Sequence, residues 1–208
     1  MKSMINVDPR IRWDRKLGLL EEPVIIRVKE FNEESADEFE QEMSKAHNTG
    51  QPIVPVIIDS YGGQVYSLLS MISDIQNSDL PVATICVGKA MSCGAVLLSC
   101  GNEGMRYCDE NSTVMIHDVS SMAWGKNEEI QASAKQTNKL NKQIFRMMAK
   151  NCDHEANYFL NKMDEKKHAE WYLDAKEAKK EGLINHTSVP SFTYKVSLTI
   201  EFGDLVFE

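Results

Sequence analysis

Residues 81–98 read PVATICVGKAMSCGAVLL, and this stretch decides the fold. Pro81 to Val87 is a β-branched run too short for a helix and suited to a buried strand, while Ala95 to Leu98 opens an apolar helix. Between them Gly88 to Ala95, GKAMSCGA, must turn the chain from extended to helical within a few residues. The same grammar repeats upstream. Ile53 to Ile58 (IVPVII) is an apolar run closed by Asp59, Ser60, Tyr61, Gly62 and Gly63, and Val65 to Ile75 then has helical periodicity. Pro23 to Val28 (PVIIRV) precedes Asn32 to Ala46, where Phe39, Met43 and Ala46 recur at helical spacing among acids. Thr113 to Val119 (TVMIHDV) reads as a further strand. Near-continuous apolar strands alternating with helices predict a parallel sheet covered on both faces, an α/β architecture.

Downstream the pattern changes. Asn127 to Met148 reads as a long polar helix with a narrow stripe of Ile130, Thr137, Leu140, Ile144 and Met147, as for a helix laid on one partner or an ordinary surface helix. A shorter helix is expected over Glu155 to Met163. Asp174 and Glu177 have capping-box spacing for another, with Gly182 as its C-terminal stop. Phe192, Tyr194, Val196, Leu198, Ile200 and Phe202 alternate with polar residues, the clearest period-two strand in the chain. Its apolar face calls for cover from its own domain or from another chain.

The 208 residues carry 23 Lys and Arg against 31 Asp and Glu, a net charge of -8, which argues against nucleic-acid or anionic-membrane binding. With 42% hydrophobic and 26% charged residues, a single packed domain is expected and disorder is excluded. No run approaches the length of a membrane span, and Met1 to Arg15 has no apolar core of a signal peptide, so a cytoplasmic protein is expected. Cys86, Cys93, Cys100, Cys108 and Cys152 show neither CxxC nor Cys/His metal spacing and read as reduced thiols. No cofactor or metal is expected.

Functional groups of such sheets gather where strands end and helices begin. Ser92 lies on the turn at a helix N-terminus, where free N–H groups and the helix dipole favour a developing anion, and Gly94 and Ala95 let the helix approach the sheet. Taken alone, Ser92 is as readily a helix cap. His117, the only histidine in an apolar context, supplies the base that a nucleophilic serine requires. Gly62-Gly63 offers a backbone free of side chains that can aim an N–H at a substrate carbonyl oxygen, or is simply a turn.

Four segments together resemble the caseinolytic (Clp) protease proteolytic subunit family. They are Ile58-Asp-Ser-Tyr-Gly-Gly63, Gly88 to Ala95, Val114-Met-Ile-His117, and Glu170-Trp-Tyr-Leu-Asp-Ala175 followed by Glu177-Ala178 and Glu181-Gly-Leu-Ile184. They occur in family order over roughly Pro23 to His186. The resemblance implies a crotonase-like fold of stacked βαβ units with a protruding strand-helix handle. It divides the chain into an N-terminal segment 1–22, a catalytic domain 23–186 with the handle helix at about 126–150, and a C-terminal strand extension 187–208. It implies Ser92 as nucleophile, His117 as general base and the Gly63 and Cys93 amides as oxyanion donors, with Gly62, Ala123, Trp124 and Gly125 on the substrate side. The position of the family's third triad member, an aspartate, holds Glu170, whose extra methylene moves the carboxylate by over about 1 Å. Asp174, with a capping role of its own, and Asp164 are the other candidates. Tyr61 stands where the family has proline, and Cys93 where methionine is common.

The implied activity is a serine endopeptidase that cleaves peptides or unfolded proteins through an acyl-enzyme inside a self-compartmentalised homo-oligomer, with rings of seven stacked in pairs. An ATP-driven unfoldase is an implied partner, and it must be another protein because the chain has no GxxxxGK[ST] loop. Alternative readings are an inactive or weakly active ring subunit that pairs with an active paralogue, and a viral capsid-maturation protease of the same fold. Acyl-thioester chemistry on a crotonase scaffold needs no serine, and an α/β-hydrolase would place its acid before its histidine.

Overall fold

The computed structural model describes residues 23–191, so segment 1–22 and the alternating run from Phe192 lie outside the described residues. A mixed sheet with strand order β1-β2-β3-β5-β6 forms the centre, with β4 also paired to β3. The strands are β1 (Ile26–Val28), β2 (Val54–Ser60), β3 (Val82–Met91), β4 (Arg106–Cys108), β5 (Thr113–Ile116) and β6 (Trp171–Leu173). The helices are α1 (Glu33–Asn48), α2 (Val65–Gln76), α3 (Cys93–Ser99), α4 (Asn127–Asn151), α5 (Tyr158–Glu165) and α6 (Ala175–Lys180). All pairings are parallel except β5 with β6, which is antiparallel.

The α/β expectation holds for the reason given by the apolar runs. Val82 to Cys86 are buried without a break, so both faces of the sheet are covered at its centre, and exposure begins at Val87. Ile58, Leu68, Leu97 and Leu98 are 0% exposed, and each such burial contributes roughly 1.5–3 kcal/mol. β3 is longer than Pro81 to Val87 because the chain stays extended through Gly88, at φ 87°, and pairs again at Lys89 to Met91 with β5. Along the same edge Thr84 to Cys86 pair with β4. Two short strands thus succeed one another beside one long strand.

Caps appear where the side chains predict them. Asn32 Oδ1 accepts from Ser35 N–H at 2.8 Å to start α1, whose inner face is Ala36, Phe39, Met43 and Ala46. Asp174 Oδ1 accepts from Glu177 N–H at 2.8 Å to start α6, and Gly182 follows at φ 73°, where a Cβ would lie 2.8 Å from the Cys152 carbonyl oxygen.

Several boundaries differ. α3 begins at Cys93 rather than Ala95, and β5 stops at Ile116, leaving His117 just past the strand. The long helix is present, but its stripe is half used: Leu140, Ile144, Phe145, Met148 and Ala149 are buried, whereas Ile130 is 42% exposed. Residues 127–136 bury no side chain, so the first half of α4 projects from the body. The strand that the resemblance places before this helix is not formed. Residues 117–126 are irregular, since no described strand runs beside them to pair with. All five cysteines are free thiols, with Cys86 and Cys108 opposite one another on β3 and β4.

Candidate active site

Ser92 sits between β3 and α3 at φ 54°, ψ -119°, one of the few non-glycine residues with positive φ. Such backbone costs on the order of 1–3 kcal/mol and persists only when its surroundings hold it. Ser92 N–H donates to the Met115 carbonyl of β5 at 2.8 Å, and Ala95 N–H donates to the Ser92 carbonyl at 3.0 Å. The serine hydroxyl makes no cap on α3. Instead Ser92 Oγ and His117 Nε2 are 2.7 Å apart. The hydroxyl thus faces the histidine rather than its own helix.

The glycine pair packs against this serine. A Cβ on Gly62, at φ 106°, would stand 2.7 Å from Ser92 Cβ and 3.2 Å from its Oγ. Gly62 N–H is taken by Ser60 Oγ at 3.0 Å. Gly63 is fixed by a bridge to Phe31, with Gln64 N–H donating to the Phe31 carbonyl at 2.7 Å. The Gly63 carbonyl accepts from Cys93 Sγ at 3.3 Å, a bond that joins the glycine turn to the start of α3. Cys93 is the first residue of α3, so its N–H has no partner within the helix. Burial pushes the Cys93 thiol up from its ordinary pKa, which makes it a packing group rather than a second nucleophile.

Gly63, Ser92, Cys93 and His117 line one cleft. Its floor is apolar, formed by Val65 and Leu68 of α2 and Ile144, Phe145 and Met148 of α4. Asn141 is the polar group on that wall: its Oδ1 accepts from Val119 N–H at 2.9 Å and its Nδ2 donates to Asp118 at 2.6 Å. Motif reading missed these residues. On α4 the signal is the stripe of Ile130, Thr137, Leu140, Ile144 and Met147, which fits a helix laid on one partner or an ordinary surface helix; of these Ile144 lines the cleft, beside Asn141, Phe145 and Met148. Ala123, Trp124 and Gly125 do not line the cleft; from that loop Val119 and Ser120 do. Trp124 is 86% exposed.

The register of β5 with β6 locates the third candidate. Val114 faces Leu173, Met115 faces Tyr172 and Ile116 faces Trp171, so His117 and Glu170 are the residues that adjoin the last pair, each just outside its strand. The Glu170 carboxylate accepts from the Tyr172 hydroxyl at 2.6 Å. The other acids are committed elsewhere. Asp174 caps α6, Asp164 lies 3.4 Å from His168 Nε2, and Asp118 accepts from Asn141 and contacts His168 Nδ1 at 2.7 Å.

Just before the glycine turn in sequence are Asp59 and Tyr61; Lys89 Nζ donates to Asp59 Oδ1 at 2.6 Å and lies 4.3 Å from the centre of the Tyr61 ring. The Asp59 hydrogen bond holds the Lys89 ammonium above its ordinary pKa. Among the described residues, no group of three or more His, Cys, Asp or Glu could hold a metal ion. No helix of theirs is long and apolar enough to cross a membrane.

A strained serine between strand and helix, a histidine within hydrogen-bond reach and glycines closing over both define a Ser–His site on a parallel sheet. The family model described as Clp protease matches residues 12–190, and the chain belongs to the Clp protease family. Among curated relatives, the ATP-dependent Clp protease proteolytic subunit of Bacteroides thetaiotaomicron is 35% identical over 136 residues, covering 65% of this chain and 60% of that protein. The protein of the same name from Deinococcus radiodurans is 33% identical over 132 residues, 64% of this chain and 63% of its own length. The ATP-dependent Clp protease proteolytic subunit 1 of Salinibacter ruber is 31% identical over 141 residues, 68% and 58% respectively. The chain therefore spans about three fifths of the length of the relatives it matches.

Proposed function

We propose that this chain is a serine endopeptidase subunit that cleaves peptides or unfolded proteins through an acyl-enzyme. The observation that carries the reading is the 2.7 Å contact of Ser92 Oγ with His117 Nε2, made by a serine that leaves its own helix uncapped. Ser92 Oγ attacks the scissile carbonyl carbon while His117 takes its proton. The Gly63 and Cys93 N–H groups hold the oxyanion, and His117 then protonates the leaving amine. Water, deprotonated by His117, releases the acyl group. Glu170, which like His117 adjoins the last β5–β6 pair, orients the imidazole and stabilises its cationic form. The apolar floor of Leu68, Ile144, Phe145 and Met148 suits an uncharged side chain on the acyl side of the cut.

The projecting half of α4 supports assembly into stacked rings, as a handle that finds its partner in other copies of the chain. The relatives are named ATP-dependent. For this chain the energy would come from a separate unfoldase. The test is labelling of the assembled protein with a fluorophosphonate, alongside hydrolysis of a fluorogenic peptide. Labelling and turnover that vanish in Ser92→Ala support the reading. Rings that neither label nor turn over would make the chain a structural subunit instead.

A further inference from the structure

Glu170 is exposed and lies just before the three-residue strand β6, where little packing limits its rotamers. A glutamate in that setting samples many positions, and an acid that must meet one imidazole nitrogen is effective only when held. One contact holds it. Tyr172, two residues on and exposed at the middle of β6, donates its hydroxyl to Glu170 Oε2 at 2.6 Å. The length is that of a charge-assisted O–H···O⁻ bond. Glu170 Oε1 carries no hydrogen bond among the described residues, and His117 uses only its Nε2 side, toward Ser92. The open carboxylate oxygen and the open imidazole nitrogen thus belong to the two residues that adjoin the last β5–β6 pair, Ile116 with Trp171.

We propose that Tyr172 is a positioning residue for the acid of the triad: its hydroxyl fixes one Glu170 oxygen so that the other meets His117 Nδ1. The inference rests on the peptidase reading above and deepens it. The tyrosine does for a glutamate what a shorter side chain does for an aspartate, by removing the freedom that the extra methylene adds. The carboxylate in turn raises the Tyr172 pKa, so the hydroxyl stays protonated as donor through the neutral range. A different role is conceivable for the same bond, a latch that holds Glu170 away from His117, and it has the opposite kinetic sign.

The experiment is a double-mutant cycle on the assembled enzyme, with kcat and KM for a fluorogenic peptide measured for Tyr172→Phe, Glu170→Asp and the pair, and Glu170→Gln as reference. Phenylalanine keeps the ring and removes only the donor. Tyr172→Phe in the native background is expected to lower kcat roughly tenfold with KM unchanged, as for loss of one hydrogen bond to a charged group. On top of Glu170→Asp it should cost less than about twofold, because the shorter acid has no slack to remove. An equal loss in both backgrounds overturns the proposal by showing that Tyr172 acts on the strand rather than on the acid. A rise in kcat with Tyr172→Phe overturns it in favour of the latch. If Glu170→Gln lowers kcat strongly while Tyr172→Phe does nothing, the positioning role fails and the triad stands. If Glu170→Gln itself is without effect, the assignment of the acid fails and the positioning role with it.

Discussion

Gly62→Ala tests how closely the glycine turn is fitted to the nucleophile. A methyl on Gly62 would stand 2.7 Å from Ser92 Cβ and 3.0 Å from the Met91 carbonyl oxygen, on a backbone at φ 106° that disfavours any side chain. To reach the 3.4 Å at which ordinary contact begins, Ser92 Cβ and the new methyl must separate by about 0.7 Å. Ser92 has little room to give, because its N–H is bonded to Met115 and its hydroxyl to His117 at 2.7 Å. Displacements of this size at a reacting atom cost up to about 100-fold, so kcat should fall between about 10- and 100-fold. The backbone strain and overpacking add a stability loss of about 1–3 kcal/mol. Gly50→Ala is the matched control. Gly50 has φ 73°, but no atom lies within 4 Å of its Cβ position, so this variant pays in melting temperature while the fluorophosphonate labelling rate of Ser92 stays native. The reasoning is refuted if assembled Gly62→Ala labels at the native rate, or if Gly50→Ala slows labelling equally.

Three further outcomes are expected. Asp174→Ala should lower stability by about 1 kcal/mol through loss of the α6 cap, seen in the denaturation midpoint. Its kcat should stay near native while that of Glu170→Gln drops; the reverse ranking would move the triad's acid to Asp174. Lys89→Met, which removes the tie between Asp59 and the Tyr61 ring, should reduce kcat roughly two- to fivefold, as expected of a solvent-screened contact; an unchanged kcat would show that the turn needs no such tie. The thiols of Cys100 and Cys152 are pushed up to about 12 by burial, and that of Cys93 is also raised. A raised pKa means less thiolate at any given pH, so native protein at pH ~8 should react with a chromogenic disulfide reagent far more slowly than unfolded protein. Fast reaction of the native thiols would contradict the burial.

What could be read from the amino acids followed from pattern length. The runs PVATICV and IVPVII and the small residues around Ser92 announce a parallel sheet and a serine turn, because strand, turn and helix each leave a local signature. β4 and β6 have three residues each, too few to show a period, and they exist because β3 and β5 offer edges. Glu170 is equally silent: a lone glutamate before such a strand stands out only through family resemblance. Lys89 and Asp59 are thirty positions apart, and they meet because β2 and β3 pair with Ser60 beside Ala90. The α4 stripe shows the limit of periodicity. Ile130 and Ile144 have the same spacing logic, yet only Ile144 has the body beneath it.

The projecting half of α4 also has a consequence for hydrogen exchange. The helix has 25 residues, about 37 Å at 1.5 Å per residue, and its first ten bury no side chain. An isolated helix of that length is marginal in water. This one is tied by Lys126 N–H to Glu129 at its start, by Ser121 to Thr137 and by Gln136 to the Tyr66 hydroxyl. Amides of residues 131–136 should therefore open by local fraying at low cost in dilute protomers, while those of residues 144–149 wait for global unfolding. Protection of the first group that grows with protein concentration would report the moment at which copies of the chain come together.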